Sequence, residues 1–277
     1  MPTVYGSPNS RRDNIVVICH ALTGTSAVAD WWPGIVGPGA LFDPTRWCVV
    51  GVDINGTTLR DVVSAQREAI DELGFERIRF VVGGSLGGMQ ALQWALDVPE
   101  RVGHAIVIGA HDHHSTMGIA LNGLQREAIA LDPVAGLSLA RKIAMLTYKS
   151  EELFTQRHSR LPDRNDPSRF DVEGYLAHQG AKFVARMDSE TYVARTRLMD
   201  GFDVRHRARE PHAPLTFIGI NSDWLFRAQD VRAAAKRFDA NYFEMVSNHG
   251  HDAFLAEPEH LARIVRRGVI DYSMTVA

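Results

Sequence analysis

A serine flanked by glycines is the first feature of this sequence that suggests chemistry. Ser85 stands in segment 83–87, Gly-Gly-Ser-Leu-Gly, which follows the apolar residues 80–82 and precedes a helix-compatible segment, 89–95. A strand, a sharp turn and a helix in that order form a nucleophile elbow with the serine at its tip. The alternative is a glycine-rich turn around a structural serine, because so short a pattern also arises by chance.

The glycines of this segment have a physical role in the elbow. We expect Gly83 and Gly87 to lack side chains because strand and helix must approach closely around a strained Ser85. The helix then directs its unpaired N–H groups at the serine, where they favour negative charge on a substrate oxygen. The Leu86 N–H is therefore one predicted oxyanion donor.

A second donor is expected in the loop after an earlier strand. Segment 20–25, His-Ala-Leu-Thr-Gly-Thr, follows an apolar run, and an α/β hydrolase takes its other oxyanion N–H from such a loop. The Leu22 N–H is the predicted donor. His20 is interpreted as shaping the loop, because it precedes the donor turn and does not follow a later strand.

Two further residues complete a catalytic order. Asp223 follows a predicted strand, and His251 follows the next one. The order Ser85, Asp223, His251 is that of α/β hydrolases, in which the histidine takes the serine proton and the carboxylate orients the histidine. His249 is the alternative base.

The elements that must position these residues alternate along the chain. Short apolar runs bounded by turn residues predict strands buried on both faces, and amphipathic segments predict helices between them. This alternation predicts an α/β fold, a mostly parallel sheet with helices on both faces. The predicted strands are 14–20, 47–52, 79–82, 102–109, 214–220 and 242–246, and the predicted helices outside the insertion include 59–73 and 229–238.

The alternation stops between residues 111 and 210. Helices are predicted over 121–131, 137–148 and 190–199, with a polar, proline-containing stretch at 160–169. Such an insertion is typical of a lid over the carboxyl edge of the sheet, where ligands bind. The predicted organisation is a hydrolase core of residues 1–110 and 211–277 with a helical lid at 111–210.

The amino-acid composition limits the classes of binding partner. With 30 basic and 33 acidic residues among 277, and without a like-charge block, the chain carries no electrostatic footprint for nucleic acid or a membrane surface. Small-molecule substrates fit better. Only Cys19 and Cys48 occur, both in apolar runs that favour buried free thiols. A reducing, cytoplasmic location is expected, since no signal core or membrane span is evident.

Segment 111–114, His-Asp-His-His, opens the insertion. Three imidazoles and a carboxylate so close together are potential metal ligands. No further spaced ligand set accompanies them, so the sequence favours a solvated loop and no metal.

Several blocks resemble the homoserine O-acetyltransferase family of the α/β-hydrolase superfamily. They are the segments at 19–24 (CHALTG), 83–92 (GGSLGGMQAL), 175–188 (YLAHQGAKFVARMD), 222–226 (SDWLF) and 250–255 (GHDAFL). The resemblance implies a ping-pong O-acyltransferase of amino-acid (methionine) biosynthesis that uses acyl-CoA as co-substrate and no cofactor, and a homodimer formed through the lid. It makes Ser85 the nucleophile and His251 the base, and it assigns the amino-acid acceptor to Arg186 and Asp252. A guanidinium grips a carboxylate and an aspartate pairs with an ammonium; a lid salt bridge and a loop cap are the alternative roles.

The sequence also departs from that family. The family's long Gly- and Pro-rich segment after the strand at 47–52 is missing, because Asn55-Gly56-Thr57-Thr58 runs directly into the next helix. The chain also begins where the family has already formed extra strands, so a trimmed sheet is expected. A more open acceptor pocket would favour water, which makes an esterase the alternative function. A binding protein without turnover is the third class.

Overall fold

A seven-stranded sheet forms the centre of the protein. The structure is a computed structural model that describes residues 1–271. The strands lie in the order β1-β3-β2-β4-β5-β6-β7, with β1 antiparallel to β3 and all other neighbours parallel. Their bounds are β1 Thr3–Tyr5, β2 Ile15–Cys19, β3 Cys48–Val52, β4 Phe80–Gly84, β5 Ala105–Ile108, β6 Leu215–Ile220 and β7 Asn241–Met245.

Helices cover both faces of this sheet. The described helices are α1 Val28–Trp31, α2 Leu59–Glu72, α3 Leu86–Asp97, α4 Thr116–Leu131, α5 Pro133–Tyr148, α6 Glu151–Arg157, α7 Asp171–Val184, α8 Ser189–Asp200, α9 Ala228–Arg237, α10 Ala253–Ala256 and α11 Pro258–Val265. Along β2, Val17 packs with α2 and α3 in one buried cluster, while Ile18 faces α1 and α11 in another. The predicted α/β-hydrolase fold is confirmed.

The order of the strands determines where a ligand site can form. Chain connections run outward in opposite directions from β2 and β4, so the crevice between their carboxyl ends is the switch point of the sheet. Cys19 is paired with Gly83 across these two strands. The loop containing Leu22 and the turn containing Ser85 therefore leave the sheet side by side.

Five consecutive helices, α4–α8, separate β5 from β6, and we call them the insertion. Within it α4 packs on α5 and α8, and α5 packs on α7. Helix α4 begins before residue 121, where the sequence placed it, because the Ser115 side chain caps it by accepting from the Gly118 N–H at 3.0 Å. The hydrophobic periodicity of the sequence did not predict helices α6 and α7 or strand β1. No helix among residues 1–271 is both long and apolar enough to cross a bilayer.

Candidate active site

Ser85 occupies a strained turn between β4 and α3. Its φ of 58° and ψ of −125° lie outside the regions that residues with a side chain readily adopt. Such strain persists only where the surroundings impose it, and it concentrates at functional sites. Here the Ser85 N–H donates to Ile108 O at 2.9 Å and its carbonyl accepts from the Met89 N–H at 3.1 Å.

The glycines around Ser85 permit a close approach of backbone to backbone. A Cβ on Gly83 would lie 2.1 Å from the carbonyl oxygen of Gly87. One on Gly87 would lie 2.1 Å from the carbonyl oxygen of Cys19. Neither contact is possible for a side chain, so β4, α3 and the end of β2 meet only because both positions are glycine, as the sequence predicted.

Asp223 and His251 form a buried pair at the same edge of the sheet. Asp223 follows β6, and His251 lies in a single 3₁₀ turn, Gly250–Asp252, after β7. His251 Nδ1 lies 2.6 Å from Asp223 Oδ2, and the other Asp223 oxygen accepts the N–H groups of Leu225 and Phe226, each at 2.9 Å. The carboxylate is thus fixed on both oxygens and holds the imidazole with Nε2 pointing away from it.

The geometry separates the two candidate bases. His249 Nε2 lies 3.9 Å from Glu257 and has no contact with Asp223 among the described residues. Nε2 of His251 is buried without a hydrogen-bond partner there, so it is free to accept a proton. The His251 ring also borders Gly109, the residue after the Ile108 carbonyl that Ser85 contacts.

Burial and charge oppose each other at His251. Desolvation lowers the pKa of its imidazole, whereas the charge of Asp223, the hydrogen bond to it and the charge of Asp252 raise it. The net shift is upward from 6.5. A histidine with a raised pKa is a stronger base, and it is inactive as a base over a wider acidic range.

A small cavity of about 20 Å³ adjoins Ser85. It has room for about one water molecule. Helices α4, α5 and α8 of the insertion supply most of its wall, so the insertion lies directly over the serine. The lining residues are Leu22, Ser85, His114, Leu121, Asn122, Gln125, Ala144, Thr147, Tyr148, Tyr192, Met199 and Leu225.

Both residues with predicted oxyanion donors lie near Ser85, Leu86 as its neighbour in the chain and Leu22 in the lining of the same cavity. Leu86 is the first residue of α3, so its N–H belongs to the unpaired first turn. Leu22 is 7% exposed and lines the same cavity as Ser85. His20 is fully buried beneath this loop, where burial lowers its pKa to about 4. A neutral, buried imidazole is consistent with the loop-shaping interpretation.

Arg195 of α8 contacts the Leu22 loop, and this contact was not predicted from the sequence. Its Nη1 donates to the carbonyl oxygens of Leu22 and Gly24, at 2.8 and 3.2 Å. Because these peptide units carry the predicted donor loop, the guanidinium fixes the loop against the insertion. An arginine within a helix leaves no local sequence signal for such a contact with a residue 173 positions away.

Replacing Arg195 by methionine is expected to slow acylation of Ser85 about 10-fold, mainly through kcat, because a loosened donor loop stabilises the oxyanion less well. Removing a donor outright costs about 10²–10³-fold. Stopped-flow kinetics with an aryl acetate measures the step. Arg195→Lys should restore part of the rate, and Arg197→Met, on an exposed position of α8, is the matched control. Equal rates in all three variants would contradict the role.

Arg186 and Asp252, the predicted acceptor ligands, do not line the Ser85 cavity. Asp252 is half-buried and its Oδ2 lies 3.1 Å from Lys149 Nζ. The Arg186 guanidinium lies 5.4 Å from the centre of the Phe183 ring, and no ion pair to it is found among residues 1–271. Arg141 contacts the same ring at 5.0 Å, and desolvation together with this neighbouring charge lowers the pKa of Arg186.

The segment 111–114 is not a solvated loop, which corrects the expectation from sequence. His111, Asp112 and His114 are at most 4% exposed. Asp112 accepts from Arg237 Nε at 2.7 Å and from Nη2 at 2.9 Å. His114 faces the Ser85 cavity and contacts Asn122 at 3.3 Å. Burial follows from α9, which lies far away in sequence and supplies the arginine.

The sheet order, the serine elbow after β4 and the buried Asp223–His251 pair after β6 and β7 are the arrangement of an α/β hydrolase. Residues 14–258 match the α/β hydrolase fold family, to which the chain belongs. Within it, the chain is 41% identical to the homoserine O-acetyltransferase of Deinococcus radiodurans, covering 93% of this chain and 82% of that protein. It is 34% identical to that of Gluconobacter oxydans, covering 95% and 85%. The chain is therefore a member of the homoserine O-acetyltransferase family and an enzyme of this type.

Solved structures agree with this placement. Homoserine O-acetyltransferase from Staphylococcus aureus superimposes with a TM-score of 0.79 at 29% identity, covering 95% of this chain and 86% of that one. Esterase E22 superimposes with a TM-score of 0.86 at 18% identity, covering 96% and 92%. At that identity the likeness to the esterase concerns the fold alone.

Proposed function

We propose that the protein transfers an acyl group, acetyl in the first instance, from acyl-CoA to the hydroxyl of homoserine or a similar small amino acid. The observation that carries the proposal is Ser85 on its strained elbow, at the same edge of the sheet as a buried His251 that contacts Asp223 and keeps Nε2 free. Membership in the homoserine O-acetyltransferase family supports the substrate class.

The first half-reaction acylates the serine. His251 Nε2 takes the Ser85 proton as Oγ attacks the thioester carbonyl, and the N–H groups of Leu86 and Leu22 hold the resulting oxyanion. Collapse of the tetrahedral intermediate breaks the carbon–sulfur bond, and the protonated His251 returns its proton to the leaving CoA thiolate. An acyl-enzyme remains, and no cofactor takes part.

The second half-reaction passes the acyl group to the acceptor. The same Nε2 deprotonates the acceptor hydroxyl, which attacks the Ser85 ester and regenerates the serine. Transfer competes with hydrolysis, so the acceptor must be held in place while water is kept out. The insertion supports transfer, since helices α4, α5 and α8 supply most of the wall around Ser85 and so limit the access of bulk water.

Arg186 and Asp252 are proposed to hold the acceptor's carboxylate and ammonium. Asp252 follows the base directly, and Arg186 is exposed without an ion pair among the described residues, so its long side chain is free to turn toward an anion. Asp252 must exchange Lys149 for the ammonium of the substrate. Charge pairing of both substrate ends would select amino acids over simple alcohols.

Arg186→Ala is expected to weaken acceptor binding, raising the KM for homoserine about 10-fold, because one charged hydrogen-bonded contact contributes about 1.5–3 kcal/mol. Acylation by an aryl acetate should be unchanged, since that step needs no acceptor. Steady-state kinetics with both substrates measures the split. Lys182→Ala, which removes an exposed cation in the last turn of α7, four residues before Arg186, is the control. An equal loss in acylation and transfer would exclude the acceptor role.

Incubation with acetyl-CoA, with and without homoserine or serine, tests the proposed reaction. The expected result is CoA release that accelerates with an acceptor and yields its O-acetyl ester. The alternative is an esterase, which the short turn at 53–58 before α2 favours because it removes part of the expected wall. CoA release indifferent to both amino acids, with acetate as the sole product, would support the esterase.

A homodimer formed through the insertion is also proposed. Helices α4 and α5 carry large apolar side chains that are 47–90% exposed at Met117, Leu124, Leu131, Val134, Leu139 and Leu146. A second copy of this face would cover them. Light scattering at micromolar concentration should give twice the chain mass, and Leu131→Glu should reduce the measured mass. A monomer in both proteins would exclude the dimer.

A cytoplasmic location is also proposed, because Cys19 and Cys48 are free and buried.

A further inference from the structure

A second group of side chains that can bind ligands follows β5 and is separated from His251 by the ring of Phe226. His111, Asp112 and His113 each offer one ligand atom, and these three atoms lie within 4.8 Å of one another. Asp112 is fully buried, His111 is 1% exposed, and the His113 side chain is 25% exposed. Two imidazoles and one carboxylate are a common donor set for divalent transition metals.

His111 lacks partners that a buried imidazole requires. Both of its ring nitrogens are buried without a hydrogen bond among the described residues, and its Nδ1 lies 3.8 Å from Asp112 Oδ1. Burying polar nitrogen unpaired is unfavourable, because its water contacts are lost without replacement. An ion held between His111 and Asp112 would supply the missing partner of one nitrogen.

Hydrogen bonds orient the Asp112 carboxylate, as they orient carboxylates that bind metal ions. Arg237 binds both of its oxygens, and His113 Nδ1 lies 2.9 Å from Oδ1. Ligating carboxylates are themselves hydrogen-bonded in metal sites, which fixes their orientation. Oδ1 uses one acceptor direction for Arg237 and the other for His113 Nδ1. An ion would take the place of the His113 hydrogen bond, so that Oδ1 and His113 Nδ1 both become its ligands. The Arg237 charge weakens such binding, and each imidazole must be deprotonated to bind the ion.

An adjoining cavity gives access to this cluster. It has a volume of about 630 Å³ and touches His111 and His113 together with the hydroxyl-bearing Ser115 and Thr116. The cavity offers an entry path and room for the water molecules that would complete the coordination. Both are requirements for a metal site built from only three protein ligands.

We propose that His111, Asp112 and His113 bind one divalent transition-metal ion of the Zn²⁺, Fe²⁺ or Co²⁺ class. The ligand set disfavours Ca²⁺ and Mg²⁺, which take oxygen ligands. The site lies one ring from the catalytic base, because His111 packs at 5.4 Å on Phe226, whose ring stacks on His251 at 5.2 Å. The ion would brace the Asp223–Phe226 loop and takes no part in acyl transfer.

Titration of the chelator-treated full chain with Co²⁺ and Zn²⁺ tests this site. The expected result is one equivalent of Co²⁺ with visible d–d absorbance, displaced by Zn²⁺. His113→Ala should weaken binding at least about 10-fold, because loss of even an outer partner costs 10–100-fold. His178→Ala, an exposed histidine outside the cluster, should bind as the unmodified chain does.

Thermal unfolding gives a second readout that does not depend on activity. Zn²⁺ at a concentration that just saturates the unmodified chain should raise the Tm of that chain and of His178→Ala, and should raise the Tm of His113→Ala clearly less. His113 is the deciding position, because its partly exposed ring makes the alanine variant tolerable to the fold, whereas His111 is fully packed. Absence of a one-to-one complex, or the same affinity in His113→Ala, would overturn the proposal and would leave the Ser85 chemistry untouched.

Discussion

Replacing Ser85 by alanine is expected to lower turnover of acetyl-CoA by about 10⁶-fold, the scale of losing a catalytic serine in a triad. The covalent intermediate cannot form without Oγ, so only the catalysis that the oxyanion donors and substrate binding provide for direct attack by water remains. CoA release measured over hours gives the residual rate. Labelling of the unmodified chain by a fluorophosphonate, absent in the variant, identifies the nucleophile independently.

Stability distinguishes this loss from misfolding. Alanine keeps the strained φ of 58°, whereas Ser85→Gly relieves it. Relief of such strain should stabilise the glycine variant by about 1–3 kcal/mol. The greater freedom of glycine in the unfolded chain offsets up to about 1 kcal/mol of this gain. Urea unfolding should therefore find Ser85→Gly the more stable of two inactive variants. Ser64→Ala, on α2, is the active control, and turnover retained in Ser85→Ala would exclude the nucleophile.

Asp223→Asn is expected to lower kcat by about 10⁴-fold while leaving the fold intact. The carboxylate accepts from Nδ1–H of His251 and so keeps Nε2 unprotonated; an amide can donate to Nδ1 instead, which places the proton on Nε2, where it blocks the base. Aryl acetate hydrolysis measures the loss. Asp239→Asn, the same change on an exposed residue, should be silent. A loss of less than about 10-fold would show that Asp223 does not orient the base.

The same variant should shift the pH dependence. Because the His251 pKa is raised in the folded protein, acylation by the unmodified chain should fall toward acid with a midpoint above 6.5. Without the Asp223 charge the midpoint should move to lower pH. The raised pKa also stabilises the fold at pH below the unfolded value, and this contribution disappears as pH rises through the folded pKa. Asp223→Asn should lose it, which urea unfolding at two pH values detects.

Local patterns were sufficient for much of the fold. Strands such as β2 and β6 are continuous apolar runs because both of their faces are buried, and α2 was found because its amphipathic pattern is set by neighbours three or four residues away. Helix α7 escaped periodicity because few of its residues are buried: Gly180 and Phe183 are its fully buried positions. A half-covered helix of the insertion carries only a weak apolar stripe.

The sequence by itself determined the elbow around Ser85 and placed Asp223, His249 and His251 on loops after later strands, because glycine spacing and loops after strands are properties of short segments. Tertiary structure alone decided that His251 and not His249 meets Asp223, since that pairing depends on the approach of two loops 28 residues apart. Tertiary structure also decided that Asp112 is buried and paired with Arg237, 125 residues away, and that Arg195 donates to the Leu22 carbonyl. Those contacts join distant elements whose relative positions are fixed only when the sheet and its helices pack, so no local pattern encodes them.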